Sequence, residues 1–290
     1  MDNLVLLLCK SVGVSALLYA NYWLLLRNRN FHLFNRVYLL GTIAASLIFP
    51  FIPVTTVVLQ PAELHVHGNT SIAAMLYASV AVLLLVSFII SISKICRVKR
   101  RGLNMRIGNI TVIETQLEQA PFSFFTNLFW RKDISIQSAE GKKVWMHELA
   151  HITQKHSYDK LFVHFIACIG WINPFCWMIK REIGMVHEFL ADEKSVDPGD
   201  TASFARMLLL SSHKPGYFHP GQSFFQSPVS RRLMMIRRAE NIRFAHLRKW
   251  SVFPVAAVVL FLCSFTIQNK YDFLQRQHAE KLAAEKAALK

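Results

Sequence analysis

The sequence predicts an α+β protein: four transmembrane helices, with a mostly helical domain containing a small sheet set between the third and the fourth. Three observations predict it. Four long apolar runs carry few charges, basic residues crowd the connections on one side of those runs, and residues 107–249 mix short strand-like segments with longer helical ones.

The 290 residues include 33 Lys and Arg against 18 Asp and Glu, a formal charge of +15, and 53% of them are hydrophobic. With a mean hydropathy of +0.29 the chain is too apolar to be disordered. Its positive excess suits either nucleic acid or an anionic lipid surface. The basic clusters flank apolar runs, and no zinc finger, RNA-binding motif or Gly-rich phosphate loop occurs, so a lipid bilayer and no direct nucleic acid is expected. Cys9, Cys96, Cys168, Cys176 and Cys263 form no CxxC and read as small buried hydrophobes rather than a disulfide framework.

An N-terminal membrane region, residues 1–106, holds three spans at about 4–26, 37–59 and 72–93. The first has Asp2 ahead of it and Tyr22–Trp23 near its far end, which favours a retained helix over a cleaved signal. The second contains Pro50 and Pro53 as kink points. The fourth span is 250–268, and 269–290 is a short external tail rich in Ala, Lys and Glu. Arg27 to Arg36 carries three arginines, Lys94 to Arg106 six basic residues, and Arg231 to Lys249 seven, whereas Gln60 to Ser71 has no Lys or Arg. The positive-inside rule then puts both termini outside and the middle domain in the cytoplasm.

Within the middle domain, RIGNITVIETQ reads as a strand with a turn, KDISIQSAEG as another ending at Gly141, and Pro121 with FSFF as a strand beside a cleft. A helix follows over Lys142 to Lys155 and carries His147-Glu148-Leu149-Ala150-His151. The four-residue spacing puts both imidazoles on one face, where each can give a nitrogen to Zn2+, and Glu148 stands beside the open position as general base for water. Met185 to Ser195 is helical in pattern, with Glu188 as a third metal ligand and Asp192 one turn on to accept the outer N–H of a ligand histidine. The apolar stretch Leu161 to Ile179 cannot be a fifth span, because His147 and Glu188 would then lie on opposite sides of the membrane. It reads instead as a helix to Gly170, a turn at Asn173-Pro174 and a new helix from Phe175. His156 and His164 read as surface or packing residues, His187 as a weak rival to Glu188, and His65 and His67 as a chance pair. Neither a Gly-x-Ser-x-Gly elbow nor a Ser-His-Asp order supports a serine hydrolase.

These residues resemble the integral-membrane zinc peptidases of the BlaR/MecR type, the beta-lactam sensor and signal-transducer proteins. The resemblance rests on His147 to His151, Trp171-Ile172-Asn173-Pro174 with Trp177, Glu188-Phe189-Leu190-Ala191-Asp192, Ala120 to Phe124 and Phe204 to Leu209. It implies a zincin-type metalloprotease domain over 107–249 in a bacterial inner membrane, with His147, His151 and Glu188 as ligands and Glu148 as base. It further implies a protein substrate such as a transcriptional repressor, and proteolysis in signal transduction. The 22 residues from Asn269 are too few for a penicillin-binding domain, so a separate sensor partner is expected. Arg231-Arg232 and Arg237-Arg238 read as anchoring charge, with a self-cleavage region as the alternative. A non-enzymatic signalling scaffold is the rival reading of the whole chain, although a purely structural metal gains nothing from Glu148. A transporter has no support, since Lys10 is nearly alone as an ionisable group within the spans.

Overall fold

A computed structural model describes residues 2–51, 56–60, 70–195, 228–237, 249–263, 265–269 and 278. Its eight α-helices among those residues are α1 Asp2–Asn21, α2 His32–Ile48, α3 Thr70–Arg101, α4 Ala139–Thr153, α5 His156–Ile169, α6 Pro174–Ser195, α7 Pro228–Arg237 and α8 Val252–Cys263. The strands are β1 Thr56–Gln60, β2 Leu103–Ile107, β3 Ile110–Thr115, β4 Phe122–Phe124, β5 Asn127–Arg131 and β6 Phe265–Asn269.

The four-span, multi-pass expectation is overturned. Among the described residues one helix, Ile72–Arg101, is long and apolar enough to cross a membrane, and none of its most apolar stretch is buried. The first apolar run ends as α-helix at Asn21 and widens into a π-turn over Tyr22–Leu26, closed by Arg27 N–H donating to the Tyr22 carbonyl at 2.7 Å. Its Tyr19, Tyr22 and Leu26 are spent on a protein core with Tyr38, Leu39 and Ile43 of α2, Val163 and Ile166 of α5, and Ile179, Ile183 and Leu190 of α6. The second run stops after 17 helical residues and a short 3-10 turn at Phe49–Phe51, and its end becomes β1. The fourth run gives only the 12 residues of α8 before β6, which pairs in parallel with β1 from Thr56↔Phe265 to Gln60↔Asn269. The inner-membrane topology, with both termini outside and a cytoplasmic domain, rested on four crossings and loses its basis. Apolar length records that a segment avoids water: here the second and fourth runs give helices of only 17 and 12 residues, and the first packs Tyr19, Tyr22 and Leu26 into a protein core.

The small sheet is mixed, in the order β2-β3-β5-β4. Gly108, at φ +59°, turns β2 into β3, and β3 runs parallel to β5 from Thr111↔Asn127 to Thr115↔Arg131. β4 returns antiparallel on β5 and forms the edge next to α4. The second expected strand, at KDISIQ, is absent and the preceding NLFWR forms β5 instead. Residues after Arg131 close on themselves: Ile134 N–H donates to the Arg131 carbonyl, Trp130 Nε1–H to the Ile134 carbonyl, and Ser138 Oγ caps α4 by accepting from Gly141 N–H at 3.0 Å. The expected break in Leu161 to Ile179 is present. Gly170 ends α5, the Asn173 side chain accepts from Phe175 N–H, and Pro174 opens α6.

Candidate metal centre

Two helices bring the expected residues together. α4 presents His147 and His151 one turn apart on its buried face, and α6 crosses it with Glu188 and Asp192 one turn apart. One ligand atom from each of His147, His151 and Glu188 lies within 4.8 Å of the others. The two Nε2 atoms are 3.3 Å apart, Glu188 Oε2 is 3.4 Å from His147 Nε2, and Glu188 Oε1 is 3.6 Å from His151 Nε2. Ligand bonds of about 2.0–2.2 Å in a tetrahedron predict edges of roughly 3.3–3.6 Å between donor atoms, so this donor set fits a small metal ion.

The surroundings set the character of each of these side chains. His147 Nδ1 lies 3.1 Å from Asp192 Oδ1, though its N–H is not aligned for a good hydrogen bond. Burial disfavours charge on His147, yet Asp192 and Glu188 together raise its pKa to about 9. His151 is held well below the usual histidine range by burial, which leaves its imidazole neutral as a ligand must be. Burial opposes the charge on Glu188, but His147, His151 and Arg232 prevail and keep it an anion. Glu148, half-buried beside them, has its pKa raised chiefly by burial and also by Glu188, while Ser123 of β4 hydrogen-bonds to it. A carboxylate tuned upward beside a metal-type donor set is placed as a general base is.

Residues 131–236 match the family model described as BlaR1 peptidase M56. The chain therefore carries an M56 peptidase-family domain. No curated protein matches the chain. The matched stretch runs from the end of β5 through α4, α5 and α6 to α7, so the M56 domain contains all the ligand-type residues and Glu148.

Two contributors to the M56 site are invisible in residue spacing. His156 is buried, with its Nδ1 2.8 Å from His151 Nδ1, so it supports the ring that a packing role alone would leave free. Lys155, at φ +58°, reverses the chain between α4 and α5 and folds His156 back. His156 stacks on His187 with centroids 4.1 Å apart, and His187 bonds to Asp159, which also holds Arg36. His187 is thus no ligand, and His164 packs on Phe88. Arg232 is the second: its Nε donates to Asp192 Oδ2 at 2.7 Å and its Nη1 is 3.3 Å from Glu188 Oε2. Arg231 and Arg232 are therefore neither free anchoring charges nor an extended cleavage segment, for both guanidiniums are engaged and both residues are helical. Arg238, His65, His67 and Phe204 to Leu209 lie outside the described residues.

Proposed function

We propose that the chain is a zinc-dependent endopeptidase that hydrolyses a protein presented as an extended segment. The observation that carries this reading is the meeting of His147, His151 and Glu188 within one metal-sized cluster, beside Glu148, inside a peptidase-family domain. When bound, zinc supplies Lewis acidity to polarise a scissile carbonyl and to activate water. His147 and His151 would hold it through Nε2, and Glu188 through a carboxylate oxygen. Glu148 accepts the proton of the attacking water at a carboxylate oxygen and returns it to the leaving nitrogen. A C–O bond forms as the peptide C–N bond breaks, and the proton moves from water to amine. β4 is the sheet edge nearest Glu148, and its backbone offers pairing groups to an extended substrate. The resemblance to BlaR/MecR-type proteins makes a transcriptional repressor the first substrate to test, with a sensor partner supplying the signal.

Glu148→Gln tests the reading. Cleavage should fall by about 10²–10⁴-fold, as expected on losing a general base, while metal analysis still finds zinc at the wild-type ratio. Comparison of cellular protein termini with wild type and variant would identify the substrate. Cleavage unchanged at normal zinc content rules out Glu148 as the base, and absence of cleavage by zinc-loaded wild-type protein leaves the scaffold reading. Chelation should abolish the same cleavage and added zinc restore it.

A further inference from the structure

Neighbouring arginines on α7 grip α6 at two places. Arg231 donates to both carboxylate oxygens of buried Glu182, at 3.0 and 2.9 Å, and the same carboxylate receives Arg27 at 3.1 Å and the Tyr22 hydroxyl at 3.1 Å. That contact ties α7 to α6 and to the π-turn after α1. Arg232 turns to the C-terminal end of α6 and bonds both oxygens of Asp192 while touching Glu188 Oε2.

We propose that Arg232 is a positioning residue of the metal centre, which makes α7 a working part of the site rather than a linker. The proposal rests on His147, His151 and Glu188 being the metal-binding residues. A carboxylate can rotate about its last bond, and a ligand imidazole about its own. One guanidinium restrains both: it engages one oxygen of Glu188 directly, and it fixes the carboxylate that faces His147 Nδ1. Only a planar fork can make these contacts together, since an ammonium at the same place supplies charge without the paired donors.

Removing the charge would by itself favour a bound cation and mask the loss of the fork, so the decisive change keeps the charge. Arg232→Lys in the full chain should weaken zinc binding by about 10–100-fold in competition with a chromophoric chelator, the usual cost of losing an outer partner of a metal ligand. The visible absorption of the Co2+-loaded variant should differ from wild type, reporting an altered ligand arrangement. Met234→Gln, exposed on the same helix, should leave affinity and spectrum unchanged. Wild-type affinity and spectrum in a folded Arg232→Lys protein would overturn the positioning role. If wild-type protein itself takes up no zinc, the metal-binding reading fails first, so the two failures are told apart.

Discussion

His151 illustrates how much of the proposed metal site lies outside the three residues that would hold the ion. If its Nε2 faces the ion, its Nδ1 must carry the proton and donate to His156 Nδ1, 2.8 Å away. His156 can accept because burial, with the charges of His187 and Arg36, drives its pKa down to about 2, and its own Nε2–H is left for Gln154 Oε1 at 3.2 Å. The equivalent support for His147 is Asp192, which makes a direct prediction. Asp192→Asn keeps the volume but loses the anion shared by His147 and Arg232, and zinc affinity should drop about 10–100-fold by chelator competition. An unchanged affinity would mean that Asp192 serves Arg232 alone. Sequence spacing found Asp192 because it lies one turn from Glu188 on the same helix. It could not find His156, which reaches the site through a reversal at Lys155, or Arg232, which arrives from 40 residues beyond Asp192.

At the scale of elements, α4 depends on a tight start. Ser138 caps it, and Gly141 lies so close to the preceding turn that an added Cβ would stand 2.0 Å from the Ser135 carbonyl oxygen. Ser138→Ala should cost about 1 kcal/mol, the ordinary value of a lost cap. Gly141→Ala should cost more, about 1–3 kcal/mol, because backbone must move to admit a methyl group. Thermal unfolding of the two variants checks both the sizes and their order. The same turn explains the misplaced strand: KDISIQ alternates apolar and polar residues, but its Ile134 and Ser135 carbonyls are consumed by Trp130 and Ser138 in the turns leading into the cap. The strand is NLFWR, whose Leu128, Phe129 and Trp130 are all buried and so show no alternation.

Across the whole molecule, one apolar core joins α1 and α2 to α5 and α6, and half-buried His32 and buried Glu182 add to the acid sensitivity that the depressed histidines His151 and His156 already confer. His32, packed against Phe189 with its Nδ1 unpartnered, has its pKa lowered to about 4 by burial from an ordinary 6.5. The folded chain then binds fewer protons than the unfolded one between pH 6.5 and about 4, so stability falls as pH drops through that window. Glu182 follows at lower pH. Burial alone would raise its pKa, but Arg231 and Arg27 depress it below 4.5, and the stability it contributes above that value is lost as pH falls further. Thermal midpoints measured on descent from neutral pH should decline, and His32→Phe should make the first part of that decline shallower while His151 and His156 keep the rest of it. A decline of equal slope in that variant would remove His32 from the account.

Residue order by itself determined the helix that carries His147, Glu148 and His151, the second helix with Glu188 and Asp192, and the break at Gly170 to Pro174 that lets them meet. Each depends on local periodicity and on backbone-breaking residues, whose effects are felt within a turn or two. Only the tertiary structure decided which apolar runs become core and which could cross a bilayer, because a hydrophobic side chain is indifferent to whether protein or lipid excludes the water. It also decided where the basic residues go. Arg27, Arg231 and Arg232 looked like charges laid against a membrane, yet their guanidiniums are drawn inward by Glu182, Glu188 and Asp192, partners that no reading of neighbours along the chain reveals.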